Sequence, residues 1–374
     1  MKARDQGFSL VEIMVGLVIG MIAMIVIMQV FDLSEKQKRT TSGGADAQSN
    51  GAIALYMIER DTRMAGWGMD SAVYASCDSA YSYCDGSEAC GGEAGALGVN
   101  FAPVQITDGG TNPDTITIRS FADPNLDTFK YPASTVLSKS MPQPSAELNV
   151  NSVAGCIDGG MVLVAQAGSC TLMQITQIQG SALKLQHNPG GSGIYNPPAN
   201  YQNTNNWPAY TAGATLSCFP PPSSGPLYRK VYAIDTASRQ LQRTDNTLTP
   251  AVTDEPVTAE IFDLQAQYGI APAASQTVDE WVDATGATWA NPSLADWKRI
   301  KAVRIALVAR STQYEKPAAP GAACTTTTDE MAAKWASWAD DVFSTDNYPG
   351  DWRCYRYKTF ETVVPLRNVI WGNL

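Results

Sequence analysis

The sequence predicts an α+β protein. One long N-terminal helix, membrane-spanning in its first half, packs on antiparallel β-sheet that carries large disulfide-bonded loop insertions. Three observations lead there. An apolar run fills residues 8–31. Short segments of alternating polarity recur from residue 114 to the closing residues, as strands do. All eight cysteines lie beyond residue 76, in stretches rich in Gly, Ser, Pro and Asn.

The 374 residues carry a net charge of −10, and only 17% are charged. No block of Lys and Arg follows the apolar run, so the basic stripe that nucleic-acid binding requires is missing and no direct nucleic-acid contact is expected. An even number of cysteines, confined to the part beyond a membrane span, reads as disulfides in an oxidising compartment.

The helix comes first. A polar leader containing Lys2 and Arg4 ends at Gly7, and the run Phe8–Phe31 follows, interrupted by Glu12. At helical rise this run is about 36 Å long, enough to cross a hydrocarbon core of about 30 Å. It is too long for a secretory signal, and Asp32-Leu33-Ser34-Glu35 offers no small-residue cleavage site. A simple anchor does not place an acid early in its span, where a carboxylate costs roughly 3 kcal/mol. Cutting after Gly7 removes that difficulty. Phe8 becomes a charged N-terminus, Glu12 lies about one turn along the helix, and a neighbouring subunit's amine can neutralise it. Lys2 and Arg4 hold the leader in the cytoplasm and send the rest outward.

Gly7-Phe8-Ser9-Leu10-Val11-Glu12 resembles the cleavage and methylation motif of type IV pilins and pseudopilins. The resemblance implies cleavage after Gly7 by a prepilin peptidase, N-methylation of Phe8, and Glu12 as the acid that directs assembly. Gly16 and Gly20 form a G-x-x-x-G that permits close helix packing; glycine merely tolerated in a membrane helix explains them equally well.

From Asp32 to Ala65 the chain stays helix-compatible. Ile53, Met57 and Met64, broadened by Tyr56 and Ile58, form an apolar stripe expected to pack on the sheet. Gly43-Gly44 and Asn50-Gly51 predict a bend or local melting. Asp61, Arg63, Ala65, Gly66 and Trp67 then resemble the end of the long helix in PilW-type minor pilins. Four regions are expected: leader 1–7, span and filament-core helix 8–31, exposed half-helix 32–66, and an extracytoplasmic β-rich body 67–374.

Strands are expected at Asp114–Ser120, Met161–Ala165, Leu172–Ile178, Ser181–Gln186, Leu227–Asp235, Arg239–Thr244, Glu260–Ile270, Ile300–Arg310 and Tyr355–Arg367. Residues 188–226 read as a surface excursion pinned by Cys218, and 271–296 as an irregular insertion. Thr328 caps a short helix containing Met331, Trp335 and Trp338. The 231–243, 260–270, 302–311 and 360–368 blocks resemble, in that order, segments of PilW-like minor pilins.

Bridges are expected for Cys156–Cys170 and Cys324–Cys354, because each pair brackets a local unit. Cys218 is expected to join Cys77, Cys84 or Cys90. His187 is the only histidine, and it sits in a Gly/Pro/Asn loop without a nucleophile motif, so neither catalysis nor a His/Cys metal site is expected. No cofactor is implied. Asp340, Asp341, Asp346, Asn347 and Asp351 lack the spacing of a calcium loop and read as solvated surface. The tryptophans from 281 to 371 read as packing rather than a sugar site.

The resemblance implies a non-enzymatic minor pilin of the type IV pilus. It would wait in the inner membrane with its body in the periplasm, then prime assembly at the pilus tip and support adhesion and twitching. Its partners would be prepilin peptidase, other minor pilins, the major pilin and a PilY-type tip adhesin. A minor pseudopilin of type II secretion and a membrane-anchored carbohydrate-binding module are the rival readings.

Overall fold

The computed structural model describes residues 9–68, 77–87, 94–96, 101–121, 133–141, 147–190, 193–222, 224–248, 250–272, 275–317, 319, 321–332, 338 and 348–372. Gly7, Phe8, Cys90, Trp335, Asp340, Asp341, Asp346 and Asn347 lie outside them.

Helix α1 (Leu10–Arg63) runs for 54 residues without interruption. The local melting expected at the glycines does not occur, and the reason lies in packing. A β-carbon on Gly43 would sit 2.2 Å from Ser311 Oγ, and one on Gly51 would sit 2.1 Å from the Phe360 ring. These glycines let the sheet approach the helix, and the contact offsets the roughly 1 kcal/mol that each costs in helix propensity. The buried face is therefore made mostly of small residues, Gly43, Ala47, Gly51, Ala54 and Ala65, with Ile58 and Asp61 among them. Their spacing of three or four places them on one side. Ile53 and Tyr56, expected to contribute, point outward and are 47% and 61% exposed.

The helix ends where the Met64 N–H bonds back to the Asp61 and Thr62 carbonyls. Gly66 then turns at φ +72° and donates its N–H to Arg119 O at 2.8 Å. Only glycine takes that conformation without strain.

Nineteen strands follow among the described residues. β1 (Cys77–Tyr81) comes first, then a hairpin of β2 (Tyr83–Asp85) and β3 (Ala94–Ala96). β4 (Val104–Thr107) and β5 (Thr115–Ser120) open a scaffold sheet that the chain then leaves. It makes β6 (Ala133–Val136), β7 (Leu148–Asn149), β8 (Met161–Gln166), β9 (Gly168–Gln174), β10 (Gln177–Gln179), β11 (Lys184–Gln186) and β12 (Thr215–Phe219). It returns as β13 (Tyr228–Asp235), β14 (Gln240–Asp245) and β15 (Val252–Ala259). β16 (Ile261–Ile270), β17 (Glu280–Val282), β18 (Ile300–Arg310) and β19 (Tyr357–Pro365) complete the set.

Two of the sheets form the scaffold, in the orders β15-β14-β13-β5-β4 and β17-β16-β18-β19. Helix α1 packs on β18 and β19 and also meets β15 and β16. Ala54, Ile58 and Ala65 join Ile106, Ile116, Tyr232, Leu264, Tyr268, Ile305 and Leu307 in one core. The segment 121–227 is an inserted unit. Ser120 and Tyr228, where it leaves and returns, are directly paired across β5 and β13. Its main sheet, β1-β9-β8-β12-β6, has a core on each face. Here β12 runs between β8 and β6 with Tyr210 and Trp207 buried nearby. The stretch expected to be a surface excursion therefore holds a central strand, its Thr-Leu-Ser-Cys-Phe hidden among turn formers.

Two of the disulfide expectations are corrected. Cys170 bonds Cys77, and Cys156 bonds Cys218. Cys156 and Cys170 bracket the β8–β9 hairpin but lie on opposite faces of it. Cys170 packs with Leu163, Ala165 and Leu172, whereas Cys156 packs with Val162, Val164 and Cys218. Along β8, Val162 stands opposite Cys218 and Ala165 opposite Cys170, so period-two alternation puts the sheet between the Cys170 and Cys218 side chains. Cys218 is thereby taken by Cys156 and joins none of Cys77, Cys84 and Cys90. Cys324 is bonded to Cys354, and Cys84 is also in a disulfide.

The alternation of apolar and basic residues along Ile300–Arg310 reads as a half-buried strand, yet β18 is buried on both faces, Arg304 alone being intermediate. The excursion after it folds back over the outer face, where Phe262, Val308, Ala332 and Trp352 form a small core. Arg310 survives there because Glu260 pairs with it at 2.6 Å and the Phe262 and Tyr355 rings flank it at 4.5 and 4.0 Å. Thr328 Oγ1 accepts the Met331 N–H at 3.3 Å at the head of the helix Asp329–Ala332.

Candidate functional site

The features that bear on function are the two halves of α1. At its start Ser9 is the N-cap. The Glu12 N–H donates to Ser9 Oγ at 3.2 Å, and the Ser9 N–H donates to Glu12 Oε2 at 3.0 Å. This reciprocal box fixes the first turn and holds the acid at the helix's positive end. From Leu10 to Phe31 every large apolar side chain is at least 51% exposed. None of the described residues of the body covers this segment, so its apolar surface is left for lipid or for other helices. Nothing lies within 4 Å of a β-carbon placed on Gly16 or Gly20, which leaves both open to a neighbour.

The second half is anchored by charge as well as by close packing. Asp61, 5% exposed, receives Lys230 Nζ at 3.1 Å, the Tyr232 hydroxyl at 2.7 Å and the Arg60 guanidinium at 2.9 Å. Lys230 Nζ lies 3.7 Å from Asp245, which takes the Thr247 hydroxyl and N–H at 2.6 and 2.8 Å. Arg243 continues the chain of charges to Glu255 at 2.6 Å. Burial, together with the Asp61 carboxylate, pushes the Tyr232 hydroxyl well above its ordinary range and keeps it a donor. A buried ion pair contributes little by itself, but removing one member leaves an uncompensated charge. The network thus fixes where the helix ends on the β13–β14 hairpin.

The sequence reading singled out Asp61 but not Lys230, Tyr232 or Asp245. A signal was present. Lys230 occupies the same face of β13 as Tyr228 and Tyr232, both buried, so it needed a counter-ion.

At the junction of the two scaffold sheets, Asp114 accepts N–H bonds from Gly109 and Ala266 at 2.9 and 2.8 Å. Asp263 accepts from Leu264 N and Gln265 Nε2 at 2.8 and 3.0 Å. Burial pushes both carboxyls up to about 7; the Asp114 charge adds to the rise at Asp263, and Asp108 and Asp283 add to the rise at Asp114.

His187 is buried. Among the described residues, no three His, Cys, Asp or Glu side chains stand together as metal ligands. Trp289 and Trp297 flank Tyr268, Trp352 packs on Tyr348 and Tyr357, and Trp281 and Trp338 sandwich Arg304 at 4.9 and 4.4 Å.

The comparisons with known proteins agree with this arrangement. The prokaryotic N-terminal methylation motif matches residues 2–28, and the family described as type IV pilus-assembly protein W matches residues 231–368. No curated protein and no solved structure matches. A methylation motif on an exposed apolar helix, an α+β body of mostly antiparallel sheet behind it, and the second match, running from β13 to residue 368, together support a membrane-anchored, PilW-like minor pilin related to the type IV pilus. Such an assignment fits a structural protein that meets other pilins and a membrane-associated assembly machinery.

Proposed function

We propose that this chain, after processing by prepilin peptidase, enters a complex of minor pilins that primes type IV pilus assembly, and that it ends at the pilus tip. Cleavage falls after Gly7, and Phe8 becomes the N-methylated terminus. Before assembly the protein spans the inner membrane once with its body in the periplasm; afterwards it is displayed at the cell surface. The supporting observation is the contrast along α1. Its first half is exposed along its length among the described residues, while its second half is sealed to the scaffold by small residues and the Asp61–Lys230 network.

In this reading Glu12 sets axial register by meeting a neighbour's terminal amine, and Gly16 and Gly20 allow helices to close on each other. The body, enlarged by residues 121–227 and by the disulfide-closed excursion, is too bulky for a repeating wall and suits a terminal position. There it supports adhesion and twitching and offers surfaces to other minor pilins, the major pilin and a PilY-type adhesin.

Two measurements test this. N-terminal sequencing of the mature protein should begin at Phe8, and an uncut leader would refute the reading. Glu12→Ala should be processed normally but lose incorporation by about two orders of magnitude, the equivalent of the roughly 3 kcal/mol charge. Wild-type piliation in that variant would remove the register mechanism.

A further inference from the structure

Tension that reaches this protein from a filament enters through α1, and whatever the inserted unit holds pulls from the other side. The backbone route between them runs from the end of α1 through β1, β2 and β3 and then through β4 and β5 into residue 121. Ser120 and Tyr228 are paired, so a pull on the inserted unit draws β5 and β13 from the same end of the scaffold sheet. On its outer side β5 is held by only four residue pairs, Val104↔Ile118 to Thr107↔Thr115, while β13 has six with β14. Outside the sheets the seam is held by the Lys298–Asp78 salt bridge at 2.8 Å, whose acid is 59% exposed, by the Phe121 N–H bond to Trp67 O at 2.8 Å, and by Phe101 stacked on Phe121. Exposed pairs contribute about 0–1 kcal/mol. β4 and β5 are the weak point of the backbone route.

A second route bypasses them. Cys77 begins β1, directly after the stretch that follows α1, and Cys170 lies in β9, inside the inserted unit's sheet. Their Cα atoms are 5.3 Å apart and both residues are buried, Cys170 completely. β1 pairs in parallel with β9 over Cys77↔Gly168 to Tyr81↔Thr171. We propose that the Cys77–Cys170 disulfide is a tension tether that joins the filament helix to the inserted unit and keeps the scaffold strands out of the pulling path. The pilus reading supplies only where the pull originates; the effect on a pulled molecule is independent of it.

The test is single-molecule stretching of the full-length chain, held at its N-terminus and at a handle inserted in the exposed Gly180–Ser181 turn. With the disulfide closed, the first opening belongs to the inserted unit. With Cys77→Ser/Cys170→Ser, β4 and β5 shear first and at lower force. The bridge spans a sequence separation of 93, so the opened molecule gains roughly 300–330 Å of extra extension. If the double variant does not fold, wild-type protein folded with the bridge closed and reduced on the instrument gives the same comparison. An open-bridge molecule whose inserted unit yields before the scaffold strands, or in the same step, overturns the proposal. A leader left uncut in cells would refute the pilus reading and leave this result unchanged.

Discussion

Gly51 sets helix propensity against packing at a single atom. Glycine inside a helix costs about 1 kcal/mol relative to alanine, so Gly51→Ala gains that much in an isolated peptide. In the folded chain the new methyl falls 2.1, 2.5 and 2.7 Å from three atoms of the Phe360 ring on β19. Real β-carbons do not come that close, and a ring fixed in a strand cannot swing clear like a lysine tip. Such overpacking costs about 1–3 kcal/mol. Gly44 on the same helix has nothing within 4 Å of the equivalent position and serves as the control. Gly44→Ala should therefore raise stability by up to about 1 kcal/mol, with Gly51→Ala lying about 1–3 kcal/mol below it. Chemical denaturation in detergent, followed by circular dichroism, measures both. Adding Phe360→Leu to Gly51→Ala should recover part of the loss. If Gly51→Ala stabilises as much as Gly44→Ala, close approach is not why these glycines are tolerated.

Other tests address the buried charges. Lys230→Met leaves Asp61 and Asp245 without their shared cation and should cost about 3–5 kcal/mol. Hydrogen exchange should then show faster opening at the end of α1, and unchanged protection there would argue against an anchor. Asp114 and Asp263 bind protons to about pH 7 in the native state, whereas the unfolded chain releases them near pH 4. The native state therefore holds more protons between those values. Stability should fall as pH rises from about 4 to about 7 and then level off. Asn at position 263 keeps an acceptor for Leu264 N and cannot ionise. Asp263→Asn should shrink the difference in unfolding free energy between pH 5 and pH 8 by about 2.5 kcal/mol, and an unaltered slope would refute burial of a protonated acid there.

The sequence by itself determined the N-terminal design. An apolar run broken only by Glu12 and a short polar stretch that ends in Gly7 are local in the chain, and their chemistry needs no partner to be read. The later strands were legible for a related reason, since period-two alternation at Ile300–Arg310 or Tyr228–Asp235 is a property of a few consecutive residues. Other features depend on residues far apart. Gly43 and Gly51 read as breakers until Ser311 and Phe360 are brought against them. Thr215–Phe219 reads as loop because its neighbours are turn formers, yet it pairs between β8 and β6. Lys230 acquires its counter-ion from a helix more than 160 residues earlier. Cysteine pairing was misread because bracketing a hairpin says nothing about which face each sulfur occupies. Strand alternation put Cys170 and Cys218 on opposite sides of the sheet, so Cys170 took Cys77 and Cys156 took Cys218. Local composition decided what the helix is; long-range packing decided what holds it and how the inserted unit is tied to it.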